Sequence, residues 1–478
     1  MAEEILLTEC PILNLPLDIL LSICEYLEDR DILKLGRTCY TFYEITQNNF
    51  VWRVLSLQRW GFCNIQSTPS CNFRWKSYYS KRRTVEVKMD GGRSGNFQVK
   101  TLRGHDELIT GSLYVKLGAN AEIDEFKLSN VVSAADDGTV RLWDVDSKKC
   151  ISLCKIDSPV KCIVNSPDMS EIIAGDEMGR ITRLKLPSLE IVKGHETNSP
   201  IFSLQYIKSC VKGNCDLFLS AHKDGSVLFW KDFENNDTVD PYRTVHTGGY
   251  YPDGGKDQLK ILVNANQTKV VIFASDKDDL DVLDFAKTST ECTEAECLIT
   301  RLLLADHVLD GGWIKVSKTP LFICLSFGQI SLFEIDNSKN MLGQWIHPID
   351  KYSFHNFSCL SMCPGHDFIV GGRDGEVQQY TINSKNKIEL IKQFHDHKGY
   401  VNAVFATSYR VMSCSDDFSI RVYVWKKEGG RKVLESRYTL LGGSLALNPF
   451  PRLTHVVHDQ VSCVGTNGKL LKVYVFQD

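Results

Sequence analysis

Three groups of residues in this 478-residue chain have types and spacings that invite chemistry. Cys359-x-x-x-Cys363-x-x-His366 has tolerable spacing for a metal ion, but it crosses a predicted strand and its turn without a second cysteine pair to complete a tetrahedral site. The run Asp276-Lys277-Asp278-Asp279-Leu280-Asp281 could gather oxygen ligands, yet the ligand order and glycine of a calcium loop are missing. A solvated turn is the simpler reading. His105, His395 and His397 each stand just ahead of a predicted strand, where a histidine fills a structural hydrogen bond more readily than it serves as a base. No phosphate-cradling glycine-rich loop, nucleophile elbow or HExxH zinc signature accompanies them. The sequence therefore points to binding, with no catalytic residue, metal or cofactor assigned.

Composition agrees. With 43% apolar and 24% charged residues the chain is ordinary globular material, long enough for several domains. Fifty-five Lys and Arg against 59 Asp and Glu leave a net charge of −4, so no global positive field exists to hold nucleic acid or an anionic membrane. No apolar run approaches the roughly 18 to 20 residues that span a bilayer. The cysteines number 17, an odd count, and run from Cys10 to Cys463 behind an acidic amino terminus where a secretory signal would be basic. Reduced thiols in the cytosol and/or nucleus are expected, and Cys150, Cys154 and Cys162, on or beside predicted strands, are expected as small buried hydrophobes.

The elements that must position any binding site differ between the two ends of the chain. Near the amino terminus apolar residues recur at threes and fours: Leu15, Ile19, Leu20, Ile23, Leu27, then Ile32, Leu33, Leu35, then Phe42, Tyr43, Ile45. Pro16 suits a first helical turn, and Asp29 is placed to cap the second helix. A helical module of about 40 to 45 residues is near the limit for burying its own core, and its apolar residues exceed what three short helices can hide, which marks a partner surface. The pattern Leu15-Pro16-x-x-Ile19-Leu20-x-x-Ile23-x-x-Tyr26-Leu27-x-x-x-Asp31-Ile32-Leu33-x-Leu35, closing on Phe50-Val51-Trp52-x-x-Leu55, resembles the F-box, with Thr38 and Phe42 departing from the residues usual there. Residues 1–11 precede it as a tail and 12–55 form the module. Residues 56–95 read as a linker whose segment Arg74 to Arg83 forms a stiff helix with aromatic anchors on one face, and Lys81-Arg82-Arg83 as a solvated basic helix end.

From residue 96 to 478 the period shortens to β-branched and aromatic runs between turns. The unit Leu102-Arg103-Gly104-His105, followed by Val131-Val132-Ser133-Ala134-Ala135-Asp136-Asp137-Gly138 and Val140-Arg141-Leu142-Trp143-Asp144, resembles a WD repeat. The resemblance implies a structural relay joining His105, Asp137, Ser133 and Trp143. Turn anchors recur at 137, 178, 224, 278, 327, 374, 417 and 467, spaced 41 to 54 residues apart, which is one four-stranded blade each. Eight anchors favour eight blades, with seven also open because three units are degenerate. The strand from Asn96 to Leu102 precedes the first unit, and the last unit lacks an outer strand, so the two can close the ring.

The fold expected is thus multidomain and mainly β: a small α-helical F-box, a helical linker and a WD-repeat β-propeller. Together these resemble the F-box/WD-repeat family of substrate receptors of cullin-RING ubiquitin ligases. The resemblance implies a Skp adaptor as partner, and through it cullin and RING subunits, bound by Leu15, Pro16, Ile19, Leu20, Ile23, Leu27, Ile32, Leu35 and Trp52, about half of which should instead form the module's own core. It also implies a protein substrate, phosphorylated or not, on the propeller face. Candidate contacts there are Arg103, Arg180, Lys223 and Arg373, whose charge Asp224 and Asp374 partly offset. The receptor itself would make no bond. A propeller scaffold that assembles complexes without ubiquitination is the alternative, and neither reading involves nucleic acid or membrane.

Overall fold

The computed structural model describes residues 11–60, 73–91, 96–117, 128–207, 217–231, 243–246, 259–264, 266, 269–274, 279–284, 298–304, 307–314, 319–326, 329–335, 341–346, 357–363, 365–407, 410–441, 453–459 and 461–476. The chain divides into two compact units, Met1–Met89 and Asp90–Asp478. Among the described residues no helix is long and apolar enough to cross a membrane.

After a short 3-10 turn at Pro11–Asn14, the first unit consists of α1 (Leu17–Cys24), α2 (Asp29–Leu35), α3 (Tyr40–Gln47), α4 (Asn49–Trp60) and α5 (Trp75–Gly91). Leu20, Cys24, Ile32, Phe42, Ile45, Val51, Trp52 and Leu55 form its core. Helix α5 lies on this core, contributing the buried Trp75, Tyr78, Tyr79, Val85 and Met89. Trp52 is the hinge of that packing: its indole N–H donates to the Thr46 carbonyl at 2.7 Å and its ring meets Tyr79 at 5.2 Å. Two sequence expectations change here. Asp29 is the first residue of α2 rather than its cap, and its carboxylate accepts from Tyr79 Oη at 3.1 Å while Arg83 stands 3.5 Å away. Lys81-Arg82-Arg83 is mid-helix, and Arg82 is buried, donating to Tyr78 Oη at 2.9 Å, because the aromatic face of α5 turns inward and carries Arg82 with it. A module too small to bury its apolar residues alone has taken one additional helix as a lid.

The second unit contains eight four-stranded antiparallel sheets, so the propeller has eight blades and seven is excluded. Blades are numbered in chain order and their strands a to d from the inside out. The turn anchors at 137, 178, 224, 374 and 417 fall between strands b and c of their blades, and Asn467 ends strand b of blade 8. The anchors at 278 and 327, with Asp276, Lys277 and Gly328, lie outside the described residues. Closure is by exchange of ends. The strand Gln98–Arg103 pairs antiparallel with the last strand, Leu470–Val475, in the register Gln98 to Val475 through Arg103 to Leu470, and so becomes strand d of blade 8. The join is sealed by a cluster of Leu102, Val464, Leu471, Val473 and Val475 from blade 8 against Ile109, Val131 and Trp143 of blade 1.

Within blade 1 His105 Nδ1 lies 2.9 Å from Asp137 Oδ2, His105 Nε2 lies 2.7 Å from Ser133 Oγ, and Trp143 Nε1 donates to the same hydroxyl at 2.8 Å. Burial opposes the charge on Asp137, yet the Thr139 hydroxyl, the Asp106 N–H and His105 together hold its carboxyl below the usual range. Gly138 closes this turn at φ +74°, where an added Cβ would come within 3.1 Å of the Ser158 carbonyl oxygen. Blade 7 repeats the arrangement with His397, Ser413 and Asp417, although Phe418 takes the left-handed position at φ +64°. His395, grouped with His397 on sequence, is exposed and pairs with Glu376 at 2.9 Å. Blade 3 has a variant in which His222, from strand b itself, meets Ser220 at 2.7 Å, and Trp230 Nε1 donates to Ser220 at 2.9 Å.

Candidate partner-binding surfaces

The nine F-box positions separate by burial. Leu20, Ile32 and Trp52 are core, at 4%, 0% and 2% exposure. Leu27 and Leu35 are half-buried, and Leu15, Pro16, Ile19 and Ile23 are exposed. In α1 the cause is the helical period: Leu20 and Cys24, four apart, face the core, which turns Ile19 and Ile23 outward as a second aliphatic pair. Leu17, 57% exposed, continues that outward face and was not picked out from the sequence, because the stripe was read through its neighbours Pro16 and Ile19. Leu33, also exposed, adds to the aliphatic surface of this unit. Exposed aliphatics repeated along one short helix leave apolar area in water that a partner can cover.

The propeller offers a face of another kind. Antiparallel order puts the described b–c turns and the described loops leading into a strands on one side of the ring. Arg103 ends strand d of blade 8, Arg180 opens strand c of blade 2, and Lys223 and Arg373 sit in the b–c turns of blades 3 and 6, so all four share that side. They are spread around the ring rather than gathered in one cluster. Arg180 donates its backbone N–H to Asp176 at 2.7 Å, and Asp224 and Asp374 follow Lys223 and Arg373 in their turns. Lys161, on strand a of blade 2, bridges Asp136 at 2.9 Å and Glu177 at 3.2 Å, tying the b–c turns of two blades. Leu108, Met178 and Tyr400 are exposed among these charges. This side is thus mixed, with Lys161 paired to carboxylates and Asp224 and Asp374 next to Lys223 and Arg373 in sequence, beside open apolar side chains.

What holds it rigid is a set of contacts that sequence reading missed. The second residue of an a strand repeatedly donates to the first residue of the next blade's a strand: Thr110 to the Val160 carbonyl at 2.6 Å, Ser358 to Val401 at 2.5 Å and Asn402 to Leu453 at 2.9 Å. The polar residue two places after each lead-in loop was the available signal. Cys359 and Cys363 lie in the apolar layer between blades 6 and 7, where burial pushes the Cys359 thiol up to about 12, and among the described residues no group of three His, Cys, Asp or Glu side chains could hold a metal ion. Cys154 is buried as expected, whereas Cys150 is exposed, because a bulge opposite Leu142 and Trp143 turns the start of that outer strand to solvent.

Comparison with known proteins agrees with both halves. The F-box-like family model matches residues 12–58, and the WD domain, G-beta repeat model matches residues 96–144 and 388–423. Human F-box/WD repeat-containing protein 12 is 25% identical over 441 residues, covering 88% of each chain. F-box/WD repeat-containing protein 7 of Drosophila melanogaster is 24% identical over 148 residues, which is 29% of this chain and only 10% of that relative's length. Among solved structures, the computationally designed Ika8 protein superposes with a TM-score of 0.53 at 17% identity, covering 78% of this chain and 98% of its own, a likeness of fold alone. With an F-box-like helical unit followed by an eight-bladed propeller bearing WD repeats, this chain has the domain make-up of the F-box/WD repeat-containing proteins it resembles.

Proposed function

We propose that this chain is the substrate-recognition subunit of a Skp–cullin–F-box ubiquitin ligase, acting in the cytosol and/or nucleus. The outward stripe of Leu15, Pro16, Leu17, Ile19 and Ile23 docks on a Skp-type adaptor, and the propeller holds a protein whose ubiquitination leads to its degradation by the proteasome. The observation that carries this reading is the union in one chain of an uncovered aliphatic helix face and a rigid eight-bladed recognition unit. The chain contributes proximity: it raises the local concentration of a substrate lysine near the charged ubiquitin and makes no bond itself. The mixed side that bears Arg103, Arg180, Lys223 and Arg373 suits a segment combining charged and apolar residues.

Affinity purification from cells with the proteasome blocked tests the proposal, comparing the wild type with a Leu15→Ala/Pro16→Ala double variant. The receptor reading expects adaptor and cullin with the wild type only, and other proteins with both forms, ubiquitinated only in the wild-type sample. Equal sets of bound proteins, with neither adaptor nor cullin in either, would overturn it in favour of a non-degradative scaffold.

A further inference from the structure

A cleft of about 580 Å³ opens where α3, α4 and α5 meet, away from every residue of α1. Gln47 and Asn49 line one wall, and Arg74, Lys76, Ser77, Ser80 and Lys81 line the other. The arrangement is helical bookkeeping: Arg74, Ser77 and Lys81 stand at i, i+3 and i+7, and Lys76 and Ser80 form the neighbouring i, i+4 row. Three cations, two hydroxyls and two amides surround the space, and among the described residues no carboxylate lines it. A volume of this size is in the range of small-ligand sites.

Lys76 is treated differently from the cations that pair elsewhere in the helical unit. Lys34 is paired with Asp31 at 2.9 Å, Arg59 with Glu86 at 2.9 Å, and Arg83 lies 3.5 Å from Asp29. Lys76, in contrast, is half-buried, sits 5.6 Å from the centre of the Trp52 ring and donates only to the neutral Gln47 Oε1 at 2.9 Å. Burial holds its ammonium below the usual lysine range, and among the described residues neither Lys76 nor Arg74 has a carboxylate partner. The walls are fixed. Asn49 Nδ2 donates to the Phe73 carbonyl at 3.0 Å and Asn49 Oδ1 accepts from the Trp75 N–H at 3.1 Å, pinning the start of α5 to the start of α4. That first turn of α5 adds the positive end of a 17-residue helix to the same space.

We propose that this cleft binds a small, multiply charged phosphate-bearing anion. The Arg74 guanidinium and the Lys76 and Lys81 ammonium groups supply charge-assisted hydrogen bonds, and Ser77 and Ser80 supply hydroxyl donors to further phosphate oxygens. An anion seated there would replace the hydration that Lys76 has given up. The site is independent of the adaptor stripe and the propeller face, so its failure would leave the receptor reading untouched.

Calorimetric titration of the full chain with inorganic tripolyphosphate, at about 0.15 M ionic strength where diffuse attraction is screened, tests this. Arg74 and Lys81 are exposed or lie at the cleft wall in solvent, so Arg74→Glu/Lys81→Glu should fold, and Lys76→Met, which keeps the stem over Trp52, serves as a second variant. Lys385→Glu/Lys387→Glu, in an exposed propeller turn, matches the change in charge elsewhere. The expected result is saturable one-to-one binding by wild type, weakened about tenfold or more in both cleft variants and unchanged in the control, since each cleft substitution removes a charge-assisted contact. No saturable binding, equal affinity in the cleft variants, or an equal loss in the control would overturn the proposal.

Discussion

Ile19 and Leu20 are neighbours on α1 with opposite surroundings, and that contrast yields a prediction with two measurable arms. Leu20 is 4% exposed and packs in the core of the helical unit, so Leu20→Ala removes buried methylene groups and leaves a cavity at a cost of about 2 to 5 kcal/mol. Set against a typical domain stability of about 5 to 15 kcal/mol, this is a large share. Ile19 is 45% exposed, and trimming it to Ala changes folding stability by less than about 1 kcal/mol while favouring the helix slightly. At a covering partner the order reverses: an apolar anchor buried in the interface is worth about 2 kcal/mol, or about 30-fold in affinity. Urea unfolding of each variant, followed by titration with purified Skp-type adaptor, separates the two. Ile19→Ala should keep its unfolding midpoint and lose adaptor affinity, and Leu20→Ala should lose the midpoint. An Ile19→Ala protein that binds the adaptor with wild-type affinity, or one as unstable as Leu20→Ala, would refute the division of the stripe drawn above.

Three further expectations concern the propeller. Ser133→Ala strips one hydroxyl from both His105 Nε2 and Trp143 Nε1, each buried, so the unfolding free energy should fall by about 2 to 4 kcal/mol, whereas Ser147→Ala, whose hydroxyl bonds Asp144 in the open, should be near neutral; equal effects would argue against the relay. Acid should loosen the ring. Burial lowers the pKa of His105, His222 and His397 and brings His195 to about 4 and His458 to about 3, so these rings stay neutral in the fold while the unfolded chain takes up protons below about 6.5. Their contribution is complete above that pH and is lost as pH falls through the folded values, so the urea midpoint should drop between pH 7.5 and pH 5, and a flat profile would count against it. A chain stopped at Gly468 lacks the strand Leu470–Val475, which pairs on both sides, and should be insoluble or rapidly proteolysed; a soluble, cooperatively unfolding product would show that closure does not depend on it.

Much of the architecture was legible because the b–c turn leaves a strong local mark. Asp137-Gly138 needs a left-handed residue and Trp143 needs a buried partner, so both positions recur with the blade even where, as at Met178-Gly179, the aromatic is gone. Strand exchange was legible as an unpaired strand at one end and a missing one at the other. The lid formed by α5 was not, because Trp75, Tyr78 and Tyr79 announce an apolar face without saying what it covers. The same holds for Thr110, Ser358 and Asn402: their partners are 43 to 51 residues away on the next blade, and a polar residue at the start of a strand looks locally like any solvent-facing position. On α1 the period was readable, but which of its two aliphatic faces met the core depended on helices α2 to α4, so Leu20 and Ile19 stood together until packing separated them.

The most direct test of the central claim is reconstitution. Purified full-length chain, Skp-type adaptor and cullin–RING module are mixed, and the mass of the assembly is measured for the wild type and for Leu15→Ala/Pro16→Ala, with circular dichroism checking that both fold alike. The account predicts a stoichiometric assembly containing all components with the wild type and a free, folded chain with the double variant. A wild-type chain that stays apart from the adaptor, or a double variant that assembles as well as the wild type, would contradict it.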